Sequence, residues 1–132
     1  MLPEYPGHPF EELPSIEKKD VLALRGLARE GDALALAVFD VQARAMGYAV
    51  ATAAMAYDPS HVVIGGGLMD AAATTSQFRD RYMATLRETA ASVFWTDIDS
   101  VRFHQAALGE LSQAIGAALL ARDSEAAERD AT

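Results

Sequence analysis

Cysteine is absent from the chain, tryptophan occurs once, and acidic residues outnumber basic ones by 19 to 11. The first absence excludes disulfides and thiolate metal ligands, and it fits a cytoplasmic or other reducing compartment. The net charge of −8 repels phosphate backbones and argues against nucleic acid as a partner. It leaves room for a small nucleotide held by main-chain amides and a metal ion. Long apolar runs are missing as well. The most apolar stretch, Ala45 to Tyr57, has about thirteen uncharged residues, short of the roughly twenty that span a bilayer. The amino terminus lacks the basic start and apolar run of a secretory signal, so no membrane partner is expected. Proline is scarce beyond residue 14, with four of the five in the first fourteen residues.

What remains is a chain of 132 residues, half of them hydrophobic, enough for one core but not for two. Residues 1–14 read as an extended proline-rich arm that Tyr5 and Phe10 can pin to a surface. Residues 15–121 read as a single α/β domain, and 122–132 as a polar tail without an apolar stripe. Within the domain, Ser15 is placed to cap a helix over about 16–29, which Gly31 ends. Asp32 caps a longer helix reaching about Ala56, with Leu34, Val38, Val41, Ala45, Tyr48 and Thr52 on one stripe and alanines on its other faces. Asp40 and Arg44 stand four apart as a helix-surface pair.

Asp58-Pro59 stops that helix, and His61-Val-Val-Ile-Gly-Gly-Gly-Leu-Met-Asp70 follows. Val62, Val63 and Ile64 favour a strand. Gly65, Gly66 and Gly67 then remove every Cβ, so the backbone can turn sharply and admit another molecule. A third helix is expected over about 77–94, capped by Thr75 or Ser76, with Arg79, Asp80, Arg87 and Glu88 on its wet face. Trp95 ends it, and 96–100 form a loop. Val101 to Ala106 alternate as a second strand, with Val101, Phe103 and Gln105 on one side and Arg102 and His104 on the other. A fourth helix runs over about 110–121, and Gly116 within it suggests a close packing contact. Two strands separated by a helix form a parallel pair. Such a pair is a poor sheet alone, so either the arm covers it or another segment or chain completes it.

Three ordered segments carry a family resemblance. The run Ala28-Arg-Glu-Gly-Asp-Ala-Leu-Ala-Leu-Ala-Val-Phe-Asp40 with Gly47, the run Asp58-Pro-Ser-His-Val-Val-Ile-Gly-Gly-Gly-Leu68, and the run Ala107-Leu-Gly-Glu-Leu-Ser-Gln-Ala-Ile-Gly-Ala-Ala118 together resemble the carboxyl-terminal lobe of ROK-family proteins. These are sugar kinases and sugar-responsive repressors. The resemblance covers about 28–121. It implies a helix-rich α/β fold, a partial actin-like (ribonuclease H-like) ATPase lobe with a small parallel sheet flanked by helices. It also implies ATP with Mg²⁺ as the nucleotide, a hexose such as glucose as the acceptor, and a homo-oligomer built near the long helix. The residues implied in nucleotide binding are Gly65, Gly66, Gly67, Leu68 and Gly109.

The departures are equally specific. The family's Asp-x-Gly-Gly-Thr phosphate loop, Asn-Asp catalytic pair, Glu-x-Gly-His sugar motif and cysteine-rich zinc loop are all absent. Glu4-Tyr-Pro-Gly-His8 is only a near miss to the sugar motif. The expectation is a nucleotide-side lobe that is not catalytic in isolation and needs another lobe to engage a sugar. The alternative is a non-catalytic oligomerisation or regulatory module on the same fold. His8, His61 and His104 are scattered in sequence without metal-ligand spacing. Asp58 and Asp70 flank the glycine strand, and either is within reach of a bound Mg²⁺ through water, though Asp58 before Pro59 is more simply a turn former. Asp97 and Asp99 read as solvated loop carboxylates. Ser76 and Ser112 lack the setting of a nucleophile.

Overall fold

The computed structural model describes residues 4–12, 17–93 and 100–130. In chain order its elements are α1 (Lys18–Glu30), α2 (Ala33–Tyr57), β1 (His61–Ile64), α3 (Ser76–Val93), β2 (Arg102–Gln105) and α4 (Ser112–Asp130). The two strands pair in parallel, with His61 opposite Arg102, Val62 opposite Phe103, Val63 opposite His104 and Ile64 opposite Gln105.

The helix boundaries follow local chemistry. Asp20 accepts a hydrogen bond from the Glu17 amide at 2.8 Å, satisfying a donor at the start of α1 that the helix itself cannot. Ser15, expected in that role, lies outside the described residues. Gly31 closes α1 in the left-handed conformation at φ 87°. Asp32 then caps α2, accepting from the Ala35 amide at 2.8 Å, and Asp58 ends it at φ 46°. The Thr75 hydroxyl accepts from the Phe78 amide at 3.2 Å and caps α3.

Leu34 is buried and Val38 half-buried against the core, as the stripe of larger side chains predicts, but beyond them α2 departs from it. The other buried positions are Ala35, Phe39, Ala43, Gly47, Val50, Ala51 and Ala54, whereas Ala45 and Thr52 are exposed, Val41 is 43% exposed and Tyr48 52%. The reason lies at Gly47. A Cβ there would stand 2.6 Å from the Leu86 carbonyl oxygen and 2.7 Å from the Thr89 Cβ. α2 and α3 approach so closely that small residues line their contact and the stripe beyond Val38 turns outward. Around this contact Leu24, Ala28, Phe39, Met69, Phe78, Tyr82 and Leu86 form the core, with Phe39 and Phe78 meeting edge to face at 5.1 Å.

Charge follows the same geometry. Asp40 hydrogen-bonds Arg81 of α3, with Arg81 Nε donating to Oδ1 at 2.9 Å and Nη2 to Oδ2 at 2.6 Å, while the expected partner Arg44 adds only a weaker charge attraction. That bidentate bond holds the Asp40 carboxyl below its ordinary pKa, while partial burial works against it. α2 is long and apolar enough to cross a membrane by length and composition. Its packed glycine face and this ion pair with α3 are those of a core helix.

The ends of the chain also depart from expectation. Within the arm, residues 4–12 are not extended but curl, with a short 3₁₀ turn at Pro9–Glu12 and Glu11 accepting from the Gly7 amide at 2.8 Å. Phe10 packs on the core, and the buried His8 Nε2 sits 3.4 Å from Asp32 Oδ1. α4 continues to Asp130, past the expected end near Ala121. Gly116 makes no close contact, since a Cβ there would meet nothing within 4 Å. Trp95, Asp97 and Asp99 lie outside the described residues.

Candidate functional site

β1 and β2 end side by side, and the loops leaving their carboxyl ends meet. Gly65 follows β1 directly, and a Cβ on it would lie 3.2 Å from the Ala106 Cβ just beyond β2, so the two chain exits are in contact. Gly66 takes φ 97° and has nothing within 4 Å of where a Cβ would stand. Its carbonyl accepts from the Met69 amide at 2.9 Å, closing a turn over 66–69. Gly65 and Gly66 are exposed, whereas Gly67 and Leu68 are half-buried. The Gly67 carbonyl accepts from Arg25 at 3.3 Å, and the Leu68 side chain packs against the core. Of these four residues, Gly66 presents the most open main chain.

The loop after the turn is tightly built. Asp70 Oδ1 accepts from the Ala72 amide at 2.8 Å, and the Asp70 carbonyl accepts from the Ala73 and Thr74 amides. The buried Thr74 hydroxyl donates to the Leu68 carbonyl at 2.9 Å, tying the loop back to the glycine turn. Arg79 donates to the Thr74 carbonyl at 2.6 Å. That half-buried arginine was expected on a wet face. Its place five residues beyond Thr74, at the start of α3, turns it toward the loop.

Between this loop and the segment after β2 lies a cavity of about 460 Å³. Met69, Asp70, Arg79, Gln105, Leu108 and Gly109 are among the residues that line it. Gly109 takes φ 54°, and a Cβ on it would come within 2.8 Å of Asp70 Oδ2. The structure therefore brings Gly109 against Asp70 in the cavity wall, while Gly65 to Gly67 are not among the residues that line it. Sequence reasoning placed Asp70 near the site but gave no role to Arg79 or Gln105. No motif marks either residue, because only the strand register and the helix start put them there.

Among the described residues no group of three or more histidine, aspartate or glutamate side chains converges to hold a metal ion. The residues present do fit a nucleotide carrying Mg²⁺. The cavity has the size of small-molecule sites, Gly66 exposes unobstructed main chain, and Asp70 offers a carboxylate. His61 and His104, scattered in sequence, are brought together on the open face of the sheet, with Nδ1 and Nε2 2.8 Å apart.

A family model described as the ROK family matches residues 11–124 of the chain. Among solved structures, the chain is similar to a protein of Cytophaga hutchinsonii assigned as a sugar kinase, with a TM-score of 0.60 and 22% sequence identity. The match covers 86% of this chain and 35% of that one, so the chain spans about a third of the length of its structural neighbour. No curated protein matches it. The fold is that of an actin-like ATPase lobe, helix-rich with a small parallel sheet.

Proposed function

The chain belongs to the ROK family, and on that premise we propose that it is the nucleotide-side lobe of an ATP-dependent sugar kinase. In this reading it holds the nucleotide but does not complete the reaction by itself. The observation that carries the proposal is the cavity at the carboxyl ends of two parallel strands, flanked by Gly66 and walled by Asp70 and Gly109. That is where open α/β sheets take their ligands.

The exposed main chain at Gly65 and Gly66 would lie against the ribose and phosphates, where a side chain would block approach. Asp70 would hold a Mg²⁺-bound water or a ribose hydroxyl. Arg79, a cation in the cavity wall of a chain with net charge −8, would offset part of the phosphate charge. Mg·ATP, when bound, supplies the transferable phosphoryl group and the metal charge that neutralises it. Among the described residues that line the cavity Asp70 is the one carboxylate, and this reading gives it to the nucleotide; none of the family's phosphate-loop, catalytic or sugar motifs stands in the sequence. The acceptor hexose and the groups that activate it belong, in this reading, to a second lobe.

Isothermal titration with Mg·ATP tests the proposal, with and without glucose. Saturable nucleotide binding that does not depend on glucose is expected, with no glucose phosphorylation in a coupled assay on the chain alone. No heat at millimolar nucleotide would overturn it.

A second reading is favoured by α2. Val41, Tyr48 and Met55 lie seven residues apart and are all exposed, the spacing of a helix-helix seam. In this reading the chain is an oligomerisation module on the same fold, and α2 meets α2 of a second copy. Light scattering that shows a monomer at every concentration would remove it.

A further inference from the structure

The sheet has one covered face and one open face. Ile64 and Phe103 pack on the core, while His61, Val63, Arg102 and His104 face outward, with Val63 63% exposed. On that open face His61 Nδ1 and His104 Nε2 lie 2.8 Å apart, and the two rings are nearly parallel, 5.1 Å between centroids. The parallel register, with Val63 opposite His104, fixes this diagonal relation through main-chain pairing rather than through flexible loops. We propose that His61 and His104 form a chelating site for a divalent transition-metal ion, distinct from the nucleotide cavity.

The donors point to the class of metal. At 2.8 Å between nitrogens and 5.1 Å between ring centres the two imidazoles meet head-on in a hydrogen bond, so both rings turn for their lone pairs to converge on one ion. Imidazole nitrogen suits Cu²⁺, Ni²⁺ and Zn²⁺, with Cu²⁺ bound most tightly. Imidazole donors also exclude Mg²⁺ and Ca²⁺, which take oxygen. One nitrogen of the pair carries the proton that joins them. Binding moves that proton to the far nitrogen of its own ring, leaving His61 protonated at Nε2 and His104 at Nδ1. Water fills the remaining coordination positions. Arg102, opposite His61 in the register, sets a positive charge beside the site and lowers its affinity for cations.

Titration calorimetry of the full chain with Cu²⁺, Ni²⁺ and Zn²⁺ near pH 7.5 tests the site, alongside His61→Gln, His104→Gln and a His8→Gln control. One ion per chain is expected, tightest for Cu²⁺. Each sheet histidine variant should bind on the order of tenfold or more weakly, while His8→Gln keeps the wild-type affinity. Electron paramagnetic resonance of the Cu²⁺ form should show coupling to two nitrogens. An isotherm unchanged in either sheet variant, or nitrogen coupling that survives in both, would overturn the proposal.

Discussion

The Asp70 carboxylate occupies the space that a side chain at Gly109 would claim: Oδ2 stands 2.8 Å from the position of a Cβ, and Gly109 itself sits at φ 54°. Two loops leaving neighbouring strands thereby come into close contact at the proposed nucleotide cavity. Gly109→Ala should displace Asp70 and strain the backbone. About 1 kcal/mol of stability should be lost, and Mg·ATP binding should weaken by on the order of tenfold, about 1.4 kcal/mol. Thermal unfolding and calorimetry separate the two effects. Nucleotide affinity equal to wild type would detach Asp70 from the site.

Two glycines in helices should answer the same substitution in opposite ways. At Gly47 a Cβ meets the Leu86 carbonyl at 2.6 Å, and backbone cannot step aside. Gly47→Ala should destabilise by about 1–3 kcal/mol despite alanine's better helix propensity. At Gly116 a Cβ meets nothing, so Gly116→Ala should stabilise by about 0.5–1 kcal/mol. Urea unfolding of the two variants checks both signs.

The Asp40–Arg81 pair predicts an acid dependence. The folded carboxyl is held below its ordinary value by the Arg81 hydrogen bonds first, so this group binds a proton less readily in the folded chain than in the unfolded one. Its contribution is therefore full above the unfolded carboxylate pKa of about 3.9 and fades as pH falls through the lower folded value. Arg81 is 52% exposed, which limits the contribution to about 1 kcal/mol. Asp40→Asn should lower stability at pH 7 by about that amount and flatten the acid limb of the stability curve, as read by denaturant unfolding between pH 3 and about pH 7.

The outward stripe of α2 gives a separate prediction. Tyr48→Glu places a charge in the middle of the Val41, Tyr48 and Met55 row. If copies associate through α2, the dissociation constant read by light scattering should rise on the order of tenfold, with helix content unchanged by circular dichroism.

Much of this fold is written in short-range chemistry. Asp32 capping α2, Gly31 closing α1, Thr75 opening α3 and the alternation around Phe103 each follow from one or two residues and were legible. The face α2 buries was legible at Leu34 and Val38 but not beyond them. Its larger side chains mark one stripe, but the core lies on the alanine and glycine side, because Gly47 lets α3 approach more closely than any bulky residue would. Nor were the partner of Asp40, the cavity-facing place of Arg79, or the meeting of His61 with His104 readable. Each depends on how distant elements align, which local periodicity does not encode. The glycine turn was legible as a place of bare main chain. That Asp70 and Gly109, rather than the three glycines, wall the cavity needed the register of β1 on β2.

The central claim is that open main chain beside the Asp70–Gly109 cavity receives a nucleotide. Calorimetric titration of Mg·ATP into the wild-type chain and into Gly66→Val measures it most directly, with circular dichroism to confirm equal helix content. The account predicts saturable binding to the wild type that is lost in the variant. Identical isotherms for two equally folded proteins, or no binding to either, would contradict it.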